Sequence, residues 1–374
     1  MADSTPRSLT YLPDSAVPFE PIVPQVSSVS YMSFVPLNDG TVGATWAEIG
    51  GSSGNRTGFV YWGTSPDPTT LSTVPGSVGA GAVLLISQTV QQHAGFRSTV
   101  QRGPDGDLYL ILWVARHSTL VAGLLPLPPN EGTYVYRSAD EGASWVLHGN
   151  VQVYGGGVGG GSFGGYGSLG EIYFSDSGRW ILPYPRISNF FGATRGSVMI
   201  AYSDDLGVTW TSTTNHRPIE GSTRQIIYNT ADGLLYFCSN RGLNNPDFQW
   251  RASADDGLTW PVFEDALALS GEPFVNQNWT GVTTATGMQW FSGMATRARV
   301  YNVDTALSVS ATPQTDPVMI RNWEAFNADL NVTIEPIGGG LWIVADSNEL
   351  LQVMEASEEE CSAIVTVTCC EDLV

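Results

Sequence analysis

Short apolar runs, many alternating with polar positions, recur along this chain and are cut apart by glycine-containing turns. "DLYLILWVA" (107–115) and "GSVMIAYS" (196–203) are two of them, and such runs predict strands. Few segments keep an i, i+3, i+4, i+7 apolar pattern for ten residues, so long amphipathic helices are not expected. Turn signals joining two apolar-rich runs fall at Asp39-Gly40, Asp105-Gly106, Ser177-Gly178, Asp232-Gly233, Thr286-Gly287 and Gly338-Gly339. Successive glycines are 66, 72, 55, 54 and 52 residues apart. "RQIIYNTADGLLYFCSNR" (224–241) shows the pattern, which is that of a tight hairpin.

A second signal falls inside the same units. The stretch S-x-D-x-G-x-[ST]-W occurs as "SADEGASW" (138–145), "SDDLGVTW" (203–210) and "SADDGLTW" (253–260). A catalytic motif is usually needed once and a structural device once per unit, so the recurrence predicts a repeat architecture. The side chains of Ser138, Asp140, Ser203, Asp205, Ser253 and Asp255 suit bonding to turn backbone groups. Gly142, Gly207 and Gly257 tolerate positive φ, while Trp145, Trp210 and Trp260 bury a large ring to pin the turn. These positions are read as structural.

The box marks a second hairpin after the first, so each unit is a four-stranded antiparallel meander, the blade of a β-propeller. The first unit reads as "SYMSFVPL", "TVGATWAEI" and "TGFVYWGT" before a degenerate box, "SPDPTTL" (65–71). The last reads as "NVTIEPI", "LWIVADS", "LLQVMEAS" and "AIVTVT". Six units in 374 residues is about 62 each, which leaves room for long loops on one face. The expected fold is all-β, a six-bladed propeller of four-stranded antiparallel blades over residues 26–374. Residues 1–25 are expected to be an N-terminal extension, and 355–374 an acidic, Cys-bearing C-terminal end.

Composition narrows the partners. All 16 basic residues are Arg, against 36 acidic ones, for a formal charge of −20. That field repels nucleic acid and anionic membranes, and an anionic ligand would need a local arginine cluster. The N-terminus has no apolar leader run and no run approaches 18 apolar residues, so neither a signal peptide nor membrane insertion is expected. Cys238, Cys361, Cys369 and Cys370 lack zinc-site spacing; they read as free thiols, with a staple of the tail or between subunits as the alternative. Asp105 and Asp107 are explained by a hairpin turn without a metal. The glycine run 155–170 lacks the ending of a phosphate loop and reads as a flexible loop, whose Phe163 and Tyr166 are placed to stack on a sugar or partner. No cofactor and no metal are expected.

The boxes and blades together resemble the Asp-box proteins, above all the sialidase superfamily. "GFRSTVQRGPDGDLYLILWVAR" (95–116) looks like the sialidase segment that opens with Phe/Tyr-Arg-Ile-Pro. The resemblance makes Arg97 the first of three arginines that grip a substrate carboxylate. "DGLLYFCSNR" (232–241) supplies Arg241 as the second, and "ATRARVY" offers Arg297 or Arg299 as the third. Three guanidinium forks on one carboxylate fix both affinity and orientation. Sialidases add a Tyr nucleophile, a Glu and an Asp acid/base. Tyr301 and Glu220 are the available counterparts of the first two. Residues 117–137 contain no Asp, and Ser98-Thr99 stand where the family has Ile-Pro.

The expected function is therefore a non-catalytic, sialidase-like propeller that binds glycan or protein as a structural component, of the kind found in phage tails and fibres, with oligomeric assembly in view. Its expected location is the virion or the cytoplasm. An active exo-glycosidase cleaving terminal sialic acid is the first alternative and a cytosolic interaction scaffold the second.

Overall fold

The computed structural model describes residues 7–11, 17–18, 26–50, 56–65, 82–90, 96–114, 120–130, 132–153, 170–190, 193–212, 226–229, 233–240, 248–265, 278–284, 287–294, 297–303, 312–313, 318–319, 333–338, 341–345 and 349–357. Side-chain detail falls between residues 33 and 261. Every regular element among the described residues is a β-strand, and all strand pairing within the sheets is antiparallel.

Two short strands, β1 (Arg7–Tyr11) and β2 (Val17–Pro18), come first. The first full sheet is built from β3 (Val26–Pro36), β4 (Val42–Gly50), β5 (Arg56–Ser65) and β6 (Val83–Val90) in that order. The second holds β7 (Phe96–Arg102) and β8 (Leu108–Val114), then β10 (Gly132–Ser138) and β11 (Val146–Val153). Between them β9 (Leu120–Ala122) reaches back to pair with β6. The third contains β12 (Tyr173–Phe174), β13 (Trp180–Phe190), β14 (Ala193–Ser203) and β15 (Thr211–Ser212).

The fourth sheet runs β16 (Ile226–Asn229), β17 (Leu234–Asn240), β18 (Phe248–Ser253) and β19 (Val262–Asp265). The fifth runs β20 (Asn278–Thr284), β21 (Gly287–Met294), β22 (Arg297–Val303) and β23 (Thr312–Pro313), with β24 (Val318–Met319) also on β22. The last holds β25 (Thr333–Gly338), β26 (Leu341–Ala345) and β27 (Glu349–Ser357).

Residues 7–11 and 17–18, within the expected N-terminal extension, contribute β1 and β2 to the outer edge of that last sheet. Arg7 pairs with Ser357 and Val17 with Leu350. The expected fourth strand, 363–368, lies outside the described residues, and β1 holds the place beside β27. An open sheet edge is a row of unpaired backbone groups that seeks a partner. Long-range pairing supplies one here, and runs of five and two residues are too short to show a period in sequence.

The hairpin turns follow one plan. Gly40, Gly106 and Gly178 adopt φ of 85°, 89° and 88°, and their amides donate to the carbonyls of Leu37, Gly103 and Ser175. A side chain at these positions would strain the turn, which is why glycine recurs there. The core lies between successive sheets. Trp62, Val60 and Ile86 meet Leu110, Leu112, Tyr134 and Trp145 between the first two. Tyr109, Ile111 and Trp113 meet Trp180, Leu182 and Tyr184 between the second and third. Ile181 and Ile200 meet Ile226, Phe237 and Trp260 between the third and fourth. All seven residues of β8 are buried because a neighbouring sheet covers each face, so its apolar run is continuous.

Leading strands also pack side by side: β3 against β7, β16 against β20, β20 against β25, and β25 against β3. Between the second and third sheets, Thr99 Oγ1 donates to the Gly170 carbonyl (3.0 Å), and Gln101 bonds both the carbonyl and the amide of Ile172. The hairpin turns and boxes lie at the edge where leading strands end; at the opposite edge leading strands begin and second strands end.

Candidate functional site

The three boxes join the third and fourth strands of the second, third and fourth sheets. Their geometry repeats almost atom for atom. The Ser138, Ser203 and Ser253 hydroxyls each donate to the partner Asp Oδ1 at 2.8 Å. Each accepts the box glycine amide, also at 2.8 Å. The Asp then accepts the amide of Ser144, Thr209 or Thr259 at 2.8 Å and its hydroxyl at 2.6 Å. Trp145, Trp210 and Trp260 Nε1 donate to the glycine carbonyl at 3.1, 2.8 and 3.0 Å. Trp145 and Trp260 are buried, and Trp210 is partly so.

These bonds hold the carboxyls ionised. The Ser144 hydroxyl and amide lower the pKa of Asp140, and those of Thr209 bring Asp205 down to about 2. Burial pushes Asp255 up, but the Thr259 bonds outweigh it and the net direction is down. The bonding capacity of each carboxylate is thus engaged within its own turn.

A residue the motif leaves unspecified has a role that the sequence did not disclose. The fourth box position holds Glu141, Leu206 or Asp256, at φ of 56°, 58° and 55°. From there it reaches the preceding sheet. Glu141 accepts the Asn38 side-chain amide of the first sheet (2.6 Å) and both guanidinium donors of Arg102 in its own sheet (2.8 and 2.7 Å), and Arg102 in turn donates to the Pro36 carbonyl of the first sheet (2.8 Å). Asp256 accepts the Ser175 and Ser177 hydroxyls at 2.6 and 2.5 Å, and its carbonyl accepts from Arg179. At Leu206 only the carbonyl is engaged, by His148 Nε2 at 2.8 Å. Each box is therefore a clip between sheets. A variable residue in a motif carries no signal of this from one sequence.

The ligand candidates sit at the opposite edge. Arg97 is the second residue of β7 and pairs in register with Trp113 near the end of β8. Arg297 opens β22, a third strand, so it lies at the edge where leading strands begin. Arg299 is two residues further in, opposite Ser292, and Tyr301 two more, opposite Trp290. Arg241 directly follows β17, whose end lies at this same edge, but Arg241 and Glu220 are outside the described residues. Cys238 lies on β17, and Cys361, Cys369 and Cys370 are outside the described residues.

Sequence reading also passed over Glu48, the buried carboxylate of β4 near this edge. It accepts Trp46 Nε1 at 3.0 Å, and the Tyr61 hydroxyl nearby is pushed up to about 12 by burial and then by the Glu48 charge. Its signal was there: Glu48 shares the strand alternation of Trp46 in "ATWAEIG". Among the described residues no group of three or more His, Cys, Asp or Glu stands ready to hold a metal ion, and no helix is long and apolar enough to cross a membrane.

This is a propeller-like, all-β architecture of antiparallel sheets, and sugar-acting hydrolases share it. The chain superposes on a protein of unknown function from Dyadobacter fermentans with TM-score 0.58 and 13% identity, over 94% of this chain and 99% of that one. The family 93 α-L-arabinofuranosidase of Fusarium graminearum, in complex with arabinobiose, gives TM-score 0.54 and 14% identity, over 92% and 98%. NanB, a sialidase of Streptococcus pneumoniae, gives 0.52 and 10%, over 92% and 71%. No protein-family profile matches the chain, and no curated protein sequence does.

Proposed function

We propose that this protein is a six-bladed β-propeller that binds glycans without hydrolysing them, at the sheet edge bearing Arg97, Arg241 and Arg297. The observation that carries the reading is topological. One strand start (Arg97), one second-strand end (just before Arg241) and one third-strand start (Arg297) all fall on the same edge, opposite the box turns. Six sheets among the described residues, with β25 of the last against β3 of the first, support closure into one ring. Likeness in shape to an arabinofuranosidase and a sialidase supports a sugar ligand by analogy of fold. The missing Asp between 117 and 137 argues for binding over cleavage.

The test pairs a glycan array with hydrolysis assays. Array binding that is lost on Arg97→Gln, without turnover of fluorogenic sialosides or arabinofuranosides, is the expected result. Turnover abolished by Tyr301→Phe would replace this reading with an active exo-glycosidase. The structural role in a phage virion has its own test, mass spectrometry of purified particles.

A further inference from the structure

One arginine breaks the pattern set by the others. Four arginine side chains fall among the described residues: Arg102, Arg137, Arg179 and Arg251. Three of them hold carboxylates, Arg102 that of Glu141, Arg137 those of Asp105 and Asp107, and Arg179 that of Asp204. Those bonds raise the pKa of each guanidinium. Arg251 is the most buried of the four, 6% exposed, and no carboxylate among the described residues meets it. Burial pushes its pKa down, with no charged partner to oppose the shift.

Its place in the fold is an apolar one. Arg251 lies on β18, two residues before Ser253, which opens the third box. The same position holds Tyr136 before the first box and Ala201 before the second, and both belong to the core between sheets. Arg251 pairs in register with Phe237, which shares a core with Ile181 and Ile200 of the third sheet. Residues paired in register share a face, so position 251 is turned to the third sheet. A cation thus occupies a position that the two preceding sheets give to core packing. Local rules are broken in this way at functional or strained positions.

The hydrogen bonds define which part of the guanidinium is available. Nη1 donates to the Trp260 carbonyl at 3.1 Å, tying β18 to the end of its box. Nε is buried and has no hydrogen-bond partner. With Nη1 engaged, the remaining edge is the side-on fork of Nε and Nη2, whose two parallel N–H groups suit one anion. An arginine cannot shed its proton to escape burial, so the charge stays and calls for a counter-charge. One unopposed positive charge is balanced by a monovalent anion. A seam this closed has room for an ion and none for a sugar or a peptide.

We propose that Arg251 holds a small monovalent anion of chloride size through Nε and Nη2, as a structural ion in the seam between the third and fourth sheets. The ion neutralises the guanidinium where no side chain among the described residues does. Glycan binding at the edge that bears Arg97 does not depend on it.

The experiment is thermal melting of the full chain, with sodium gluconate replaced stepwise by sodium chloride at constant ionic strength. Expected is a melting temperature that rises with the logarithm of chloride concentration above its Kd, as binding to the folded state alone requires. Arg251→Met should lose this dependence. Arg251→Lys, a point charge without the fork, should weaken the apparent affinity about 10-fold, the loss of one charged hydrogen bond. Arg179→Gln should leave the dependence intact. Should Arg251→Met fail to fold, chlorine NMR reads the site in the wild type, as broadening of the chloride line that bromide reverses. A wild type indifferent to chloride in both measurements overturns the site. Equal chloride dependence in folded Arg251→Met marks a general salt effect and overturns it too. Position 265 of β19 pairs with Gln249, two residues from Arg251. Loss of stability in Asp265→Asn, with no chloride response in the wild type, would assign the counter-charge to that strand instead.

Discussion

Replacing the box tryptophans one at a time separates packing from every other role they could have. Trp145 is 4% exposed and packs edge-on against Trp62 of the first sheet, with ring centroids 5.7 Å apart. Trp260 is 2% exposed and meets Phe237. A buried Trp removes roughly 200 Å² from water, worth about 5 kcal/mol at ~25 cal/mol/Å² as an upper bound. Large-to-Ala substitutions of buried aromatics cost about 3–5 kcal/mol, and the lost bond to the glycine carbonyl, about 1 kcal/mol, falls within that range. Trp210 makes the same hydrogen bond but is only partly buried, so its replacement should cost about half as much, ~2 kcal/mol. Guanidinium unfolding followed by far-ultraviolet circular dichroism reads the difference, provided the m-value is unchanged. The reasoning fails if Trp210→Ala costs as much as Trp145→Ala, or if either buried variant loses less than about 1 kcal/mol.

Glycine substitutions should separate strain from crowding. Gly40→Ala meets nothing within 4 Å and should cost about 1 kcal/mol for its φ of 85°, whereas Gly142→Ala puts a Cβ 2.4 Å from Trp62 and should cost about 2 kcal/mol more by thermal melting. Equal losses at the two sites would refute the crowding argument. For pH, the folded pKa of Asp205, about 2, lies below its ordinary value, so its contribution is complete above about pH 4 and fades as pH falls toward 2. The melting-temperature gap between the wild type and Asp205→Asn should close across that window; a gap unchanged from pH 7 to 2 contradicts it. Deleting residues 1–18 removes β1 and β2 and bares the edge of β27, so the truncated chain should melt earlier and self-associate in light scattering. A monomer with an unchanged melting temperature would show that β1 does not hold that edge.

Local chemistry was legible in the sequence. Strands, turn glycines and boxes each depend on a few adjacent residues, so period two, positive φ and the Ser-Asp-Gly-Trp spacing could be read without a partner in view. "RQIIYNTADGLLYFCSNR" predicts its hairpin because both strands and the turn lie within eighteen residues. What the tertiary structure decided is everything that joins distant segments. The pairing of Arg7 with Ser357 spans the whole chain, and neither run carries a signal for the other. Glu141 became a clip only when Asn38 of the first sheet came to meet it. Side-chain direction along a strand follows from alternation, but which neighbour that face meets follows from the packing of sheets, and one sequence does not encode that in any local pattern.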